Sequence, residues 1–183
     1  MSFTNFEIKA RCNSPDVVRK LLKERGASFK GVDRQIDTYF NVSAGRMKLR
    51  EGNIEKSLIY YERQNEPGPK RSDVNVYQQT ESSALKEILT RSVGVLVVVE
   101  KSREIYFCGN VKFHIDAVEG LGTFVEIEAI DFDGTVGQEM LRRQCQEFMD
   151  LFGIRSRDLV SCSYSDMLLH RTGSTGEPGP KQT

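Results

Sequence analysis

Several short stretches of this chain alternate charged with apolar residues at every second position, and the charged positions are almost all ionic. Asn5, Glu7, Lys9 and Arg11 alternate with Phe6, Ile8 and Ala10. Arg46, Lys48 and Arg50 alternate with Met47 and Leu49, and Tyr61 shares a face with Arg63. Further on, Lys101 pairs with Arg103, and Lys112, His114 and Asp116 oppose Val111, Phe113 and Ile115. Glu126 and Glu128 then alternate with Val125 and Ile127. Successive strand residues point to opposite faces, so each stretch is a strand with one ionic and one apolar face.

Two arrangements fit such strands. An antiparallel sheet with one face in water carries alternating charge. A closed barrel whose ionic face turns inward carries it too, with the apolar face packed against helices, the inverse of the usual small barrel. Two features favour the second. A solvated face mixes in Thr, Ser and Gln, whereas here nearly every position is ionic. The signs also segregate, because the strands holding Lys48, Arg63 and Lys101 offer cations on that face while the last offers only Glu126 and Glu128. Such sorting suits a polyanion bound together with metal, since Arg and Lys pair with phosphate oxygens and carboxylates coordinate hard cations.

Composition narrows the partner. The 26 basic and 26 acidic residues cancel, which argues against a general binder of nucleic acid polymers or anionic membranes and leaves room for a local basic pocket. The apolar run Val93 to Val99 is short, rich in β-branched residues and broken by Gly94, so it suits a buried strand and not a membrane span. The first residues lack the charged and apolar regions of a secretory signal. Cys12, Cys108, Cys145 and Cys162 are scattered without a CxxC pair, and they read as reduced thiols of a cytoplasmic protein. His114 and His170 stand apart in sequence, so a His-based zinc site is not expected.

Strand signals cover residues 2–12, 29–40, 46–51, 57–63, 74–79, 95–107, 111–118 and 123–130. Helices are expected over 14–26, where Ser14 suits the N-cap and Pro15 the first turn, and over 82–92, 136–152 and 163–170. Pro67, Gly68 and Pro69 make residues 64–73 a loop, either a lid or a long hairpin. Tyr164 is either a packed helix residue or turned inward, and Asp131 and Asp133 mark a turn. The segment 171–183 has no apolar anchor and is expected to be disordered. The fold class is therefore α+β, one domain over 1–170, with an eight-stranded antiparallel sheet curled or closed and helices packed outside.

The segment Asn5-Phe-Glu7-Ile-Lys9 resembles the ExExK signature of the CYTH family, the triphosphate tunnel metalloenzymes. The likeness continues through Lys48-Leu-Arg50-Glu51, Leu58 to Arg63, Glu100-Lys101-Ser-Arg103, His114-Ile-Asp116 and Gly120-Leu-Gly122-Thr-Phe-Val-Glu126-Ile-Glu128. It spans residues 3–170 and is nearest to the branch called class IV adenylyl cyclase. The resemblance implies an eight-stranded tunnel open at both ends. It also implies a small-molecule triphosphate held by Lys9, Arg11, Lys48, Arg50, Arg63, Lys101 and Arg103, with Lys9, Arg50, Lys101 and Arg103 serving catalysis. Glu7, Glu126 and Glu128 would hold Mg²⁺ or Mn²⁺, with Asp116 nearby. Asn5 stands where the signature has its first Glu, offering a carbonyl oxygen without charge. The implied reactions are conversion of ATP to cyclic AMP and pyrophosphate, or triphosphate hydrolysis. The alternative is a polyphosphate- or nucleotide-binding module without turnover, which Asn5 favours.

Overall fold

The computed structural model describes residues 2–79 and 83–173. Within them, eight strands and four helices follow the chain as β1 (Ser2–Arg11), α1 (Pro15–Glu24), β2 (Ser28–Phe40), β3 (Arg46–Glu51), β4 (Lys56–Arg63), β5 (Lys70–Gln78), α2 (Ser83–Val93), β6 (Val95–Cys108), β7 (Val111–Val118), β8 (Gly122–Asp131), α3 (Gln138–Leu151) and α4 (Tyr164–Gly173). The strands close into an antiparallel barrel in the order β1-β5-β4-β3-β2-β6-β7-β8. Among the described residues no helix is long and apolar enough to cross a membrane.

The period-two pattern decides which way the barrel faces. Phe6, Ile8 and Ala10 of β1, Val111, Phe113 and Ile115 of β7, and Val125 and Ile127 of β8 point outward and are buried. They pack with Val18 and Leu22 of α1 and Leu141, Cys145 and Phe148 of α3. Phe113 meets Phe148 edge-on at 4.6 Å. Each Val, Leu, Ile or Phe among them contributes about 1.5–3 kcal/mol by leaving water, so the main apolar core lies outside the barrel wall and the inner face is free to be ionic. Pro15 opens α1 as expected, but Ser14 makes no side-chain cap bond, and Gly26 at φ 71° turns the chain toward β2.

A second apolar cluster sits across one end of the barrel. Tyr164 joins Tyr39, Val99, Val118 and Phe124 there. The stretch leading into α4 touches strands all around the rim. The Val160 amide donates to the Lys9 carbonyl at 2.8 Å, and Lys70 Nζ donates to the carbonyls of Val160 and Ser161 at 3.2 and 3.3 Å. Arg46 binds Asp166 at 2.8 Å, and the Tyr164 hydroxyl donates to Asp116 at 2.8 Å. The tunnel expected to open at both ends is thus covered at this one.

The other departure is β5, which begins at Lys70 inside the stretch expected to be loop. The Pro67-Gly68-Pro69 signal ends the loop there, and the polar run after it has poor strand propensity. Register with β1, Glu7 opposite Lys70 and Asn5 opposite Ser72, outweighs propensity. Residues 171–173 continue α4, and the remainder of the expected tail lies outside the described residues.

Candidate functional site

The barrel encloses a cavity of about 430 Å³, a size suited to a small ligand. Pairing across the strands lays its charges side by side. On one wall Glu7 lies opposite Glu128 and Lys9 opposite Glu126, and β7 adds Lys112 opposite Glu128 and His114 opposite Glu126. On the far wall Asp37 lies opposite Arg50, and Lys101 follows on β6.

Without a ligand these charges neutralise each other. Asp37, 1% exposed, is the hub of the far wall. It accepts from Arg50 at 2.8 and 2.9 Å, from Lys101 at 2.6 Å and from Lys48 at 3.1 Å. Burial alone would raise its pKa, but Arg50, Lys101 and Lys48 together hold it well below the usual carboxylate range. Glu55 bridges Arg50 at 2.8 Å and Lys112 at 2.5 Å, and it too is lowered against its burial by those cations. The loop carrying Glu55 is fixed by Asp33, whose carboxylate accepts from the Ile54 and Glu55 amides at 2.8 and 3.0 Å. Gly52 is required there, since a Cβ would lie 2.6 Å from both Asp33 oxygens.

On the near wall Arg103 grips Asp116 at 2.7 and 2.5 Å and Glu126 at 2.7 Å. Lys9 contacts Glu126 and Arg63 contacts Glu7. Lys9 Nζ also lies 3.7 Å from the centre of the Tyr164 ring. Against the cost of burial, Lys9 and Arg103 hold Glu126 well below its ordinary value. Burial, reinforced by Arg103, lowers His114, so its ring is neutral near pH 7 and able to ligate.

One ligand atom each from His114, Glu126 and Glu128 lie within 4.8 Å of one another. His114 Nδ1 is 3.2 Å from Glu126 and 3.5 Å from Glu128. The buried Asn5 Oδ1 has no hydrogen-bond partner and lines the same cavity. A neutral imidazole beside two carboxylates, with a bare carbonyl oxygen near, fits a divalent cation.

Of the residues expected at the site, Asn5, Glu7, Lys9, Lys48, Arg50, Arg63, Lys101, Arg103, Glu126 and Glu128 all line the cavity. Two do not. Arg11 has the right parity but lies past the closure: its guanidinium stacks 5.2 Å from the Phe124 ring and reaches the Leu121 carbonyl. Asp116 is fully buried behind Arg103 and Tyr164, and His114 takes the place expected for it beside the two glutamates. The isolation of His114 in sequence therefore does not hold in space.

Sequence reasoning missed Asp37, Glu55, Lys70 and Ser72. Glu55 carries a readable signal, being an acid between two cationic strands. Ser72 carries none. It stands between Asn5 and Arg63 in the register, and Ser72 Oγ and Arg63 Nε are, like Asn5 Oδ1, buried without a partner. Three orphaned polar atoms on neighbouring strands mark a surface made to meet a ligand.

Lys101 carries a testable consequence. Burial, with Arg50 and Arg103 nearby, lowers its pKa to about 7 despite Asp37. Between about 7 and the ordinary lysine value the unfolded chain holds more protons than the folded one, so this group makes the ligand-free protein more stable as pH rises through that window. A polyanion beside Lys101 restores the charged form. Tripolyphosphate binding at about pH 8 should take up about one proton, read as a buffer-dependent calorimetric enthalpy. Lys101→Met should remove most of that uptake, and an unchanged uptake would place the proton elsewhere.

The CYTH domain matches residues 4–161 of the chain. A search of curated proteins gives no match. Among solved structures, a Pyrococcus horikoshii protein is 23% identical, with a TM-score of 0.73, covering 88% of this chain and 98% of that one. A candidate adenylate cyclase from Vibrio parahaemolyticus is 17% identical, with a TM-score of 0.73, over 90% of this chain and 97% of that one. A candidate adenylyl cyclase from Hippeastrum, with a dominant triphosphatase activity, is 16% identical, with a TM-score of 0.52, over 92% and 96%. At these identities the likeness carries the fold.

Proposed function

Because the chain belongs to the CYTH domain family, we propose that it is a metal-dependent enzyme acting on a triphosphate. The observation that carries this reading is the exchange built into the ligand-free cavity. Its cations are held by carboxylates that a divalent metal would claim. Its carboxylates are held by cations that phosphate oxygens would claim. Metal and triphosphate arriving together satisfy both sets, whereas either alone leaves buried charge unpaired.

In this reading Lys48, Arg50 and Lys101 on one wall and Lys9, Arg63 and Arg103 on the other grip the phosphates and neutralise charge that builds up in the transition state. Lys9, Arg50, Lys101 and Arg103 are buried in the barrel, so their side chains are in place once their carboxylate partners are exchanged for phosphate. Glu126, Glu128 and His114, with Glu7 and Asn5 beside them, would hold Mg²⁺ or Mn²⁺. A bound divalent ion polarises phosphate oxygens and favours deprotonation of a nucleophile. If that nucleophile is water, it attacks the terminal phosphorus, and the remaining diphosphate leaves with the bond electrons. If it is a ribose 3′-hydroxyl, it attacks the α-phosphorus and pyrophosphate leaves with the bond electrons. The Hippeastrum protein's dominant triphosphatase activity is the reason to test hydrolysis beside cyclisation.

Asn5, neutral where the family signature has Glu, favours a second reading, a binding module without turnover. One screen separates them: release of phosphate, pyrophosphate and cyclic AMP from ATP and tripolyphosphate with Mg²⁺, with Mn²⁺ and with chelator. Metal-dependent release is expected. Binding of either ligand with no product under any condition would leave the binding module, and no binding at all would sink both.

A further inference from the structure

The apolar run from Val93 to Val99 has the composition of a strand covered on both faces, and the fold covers only one of them. Val97 and Val99 turn inward and pack with Tyr39, Phe124 and Tyr164. Leu96 and Val98 turn outward and are 45% and 42% exposed. The helices of the main core, α1 and α3, pack on β1, β7 and β8 and leave this side bare. β2 continues the bare side. Ile36 lies opposite Glu100 and Thr38 opposite Val98, so Ile36, Val98 and Leu96 form one outward strip across two strands, and Val32 and Ile36 are exposed as well. α2 borders β2, and none of its described side chains is fully buried. A continuous β-branched run with one wet face, beside such a helix, is a surface that another surface covers.

The charges beside the strip identify that surface. Arg34 and Glu100 stand on the same outer face, Arg34 two residues before Ile36 and Glu100 directly across from it. Both are exposed, and among the described residues neither side chain forms an ion pair or hydrogen bond. A patch that recognises a basic or an acidic partner carries charge of one sign. This one carries one of each, and it is complementary to itself. A two-fold axis passing between Arg34 and Glu100 brings Arg34 of each copy to Glu100 of the other and sets Ile36 against Ile36, the pattern of an isologous contact. We propose that two copies of this chain pair across the outer face of β2 and β6 as a two-fold dimer. The inference does not rest on the triphosphate reading. It touches the cavity at one point only: β2 carries Ile36 outside and Asp37 inside, so the contact backs the wall on which Asp37 gathers its cations.

Sedimentation equilibrium of the full chain tests the pairing. Wild type should have twice the mass of one chain at micromolar concentration and dissociate on dilution. Ile36→Lys, at an exposed position, should keep the far-ultraviolet circular dichroism of wild type. It sets two ammonium groups face to face at the axis, so the dissociation constant should rise by about a hundredfold or more, the scale of like charges brought together at an interface. Glu100→Arg should raise it by roughly tenfold, and adding Arg34→Glu to that variant should restore the dimer, since the pair is then reversed. A dimer unmoved by Ile36→Lys and by Glu100→Arg is built on another face and overturns the proposal. A wild-type monomer throughout the micromolar range overturns it too. Such a monomer that binds phosphatidylcholine vesicles, and loses them with Ile36→Lys, makes a bilayer the occupant, and one that binds none leaves the strip to a foreign protein.

Discussion

Glu126→Gln is expected to lower metal-dependent turnover by roughly a hundredfold or more, the effect of removing one preorganised charge from a transition-state site. Glu126 stands where three demands meet. It pairs with Lys9 and Arg103, it faces His114 at 3.2 Å, and it shares a candidate metal cluster with Glu128. Gln keeps the shape and removes the charge. Direct Mn²⁺ binding, followed by electron paramagnetic resonance, should weaken with it. In chelator the opposite should hold for the anion. Lys9 and Arg103 lose a competing carboxylate, so tripolyphosphate should bind at least as well as to wild type. Turnover that survives the substitution would refute the metal assignment.

Asp37→Asn is expected to destabilise the ligand-free protein by about 3–5 kcal/mol, the scale for leaving buried charge without its partner. Lys48, Arg50 and Lys101 all converge on this carboxylate. Its lowered pKa means that the wild type draws stability from it above the ordinary carboxylate range and loses that stability as pH falls through the folded value. The variant should lack that part of the acid limb. Saturating tripolyphosphate should restore much of the loss, because the released cations bind phosphate with no rival. The ligand-induced rise in melting temperature should therefore be larger in Asp37→Asn than in wild type. A smaller rise would mean that Asp37 orients the cations for phosphate and does not merely hold them.

Which face of each strand turns inward is legible in the amino-acid sequence, because ionic and apolar residues alternate strictly from Asn5 to Ala10 and from Val111 to Asp116. Closure of the sheet is favoured by the same pattern and not dictated by it, because nearly every position on that face is ionic and the signs segregate by strand. What the sequence hides depends on partners far along the chain. Parity puts Arg11 on the ionic face, but only the fold reveals that Phe124 and Tyr164 lie between it and the cavity. Parity also favours Asp116, yet Arg103 and Tyr164 engage it from two other elements. The closing role of Tyr164 is invisible within its helix, because its partners are on β1, β7 and β8, far upstream. Lys70 is masked by the proline loop before it, and Asp37 by a strand on which acids, bases and apolar residues do not sort cleanly.

The cover laid over one end by Tyr164 makes the barrel a cul-de-sac, with consequences for the order of events after reaction. If the chain cleaves a triphosphate as proposed, a fragment cut from the far end of the chain of phosphates would lie at the bottom, behind the larger fragment, and could not diffuse out until that one had left. Release would then be sequential: the larger product first, the small anion last, from among Lys9, Arg63 and Arg103. Inorganic phosphate or pyrophosphate added to the medium should accordingly compete with fresh substrate, whereas the larger product should inhibit by a different pattern.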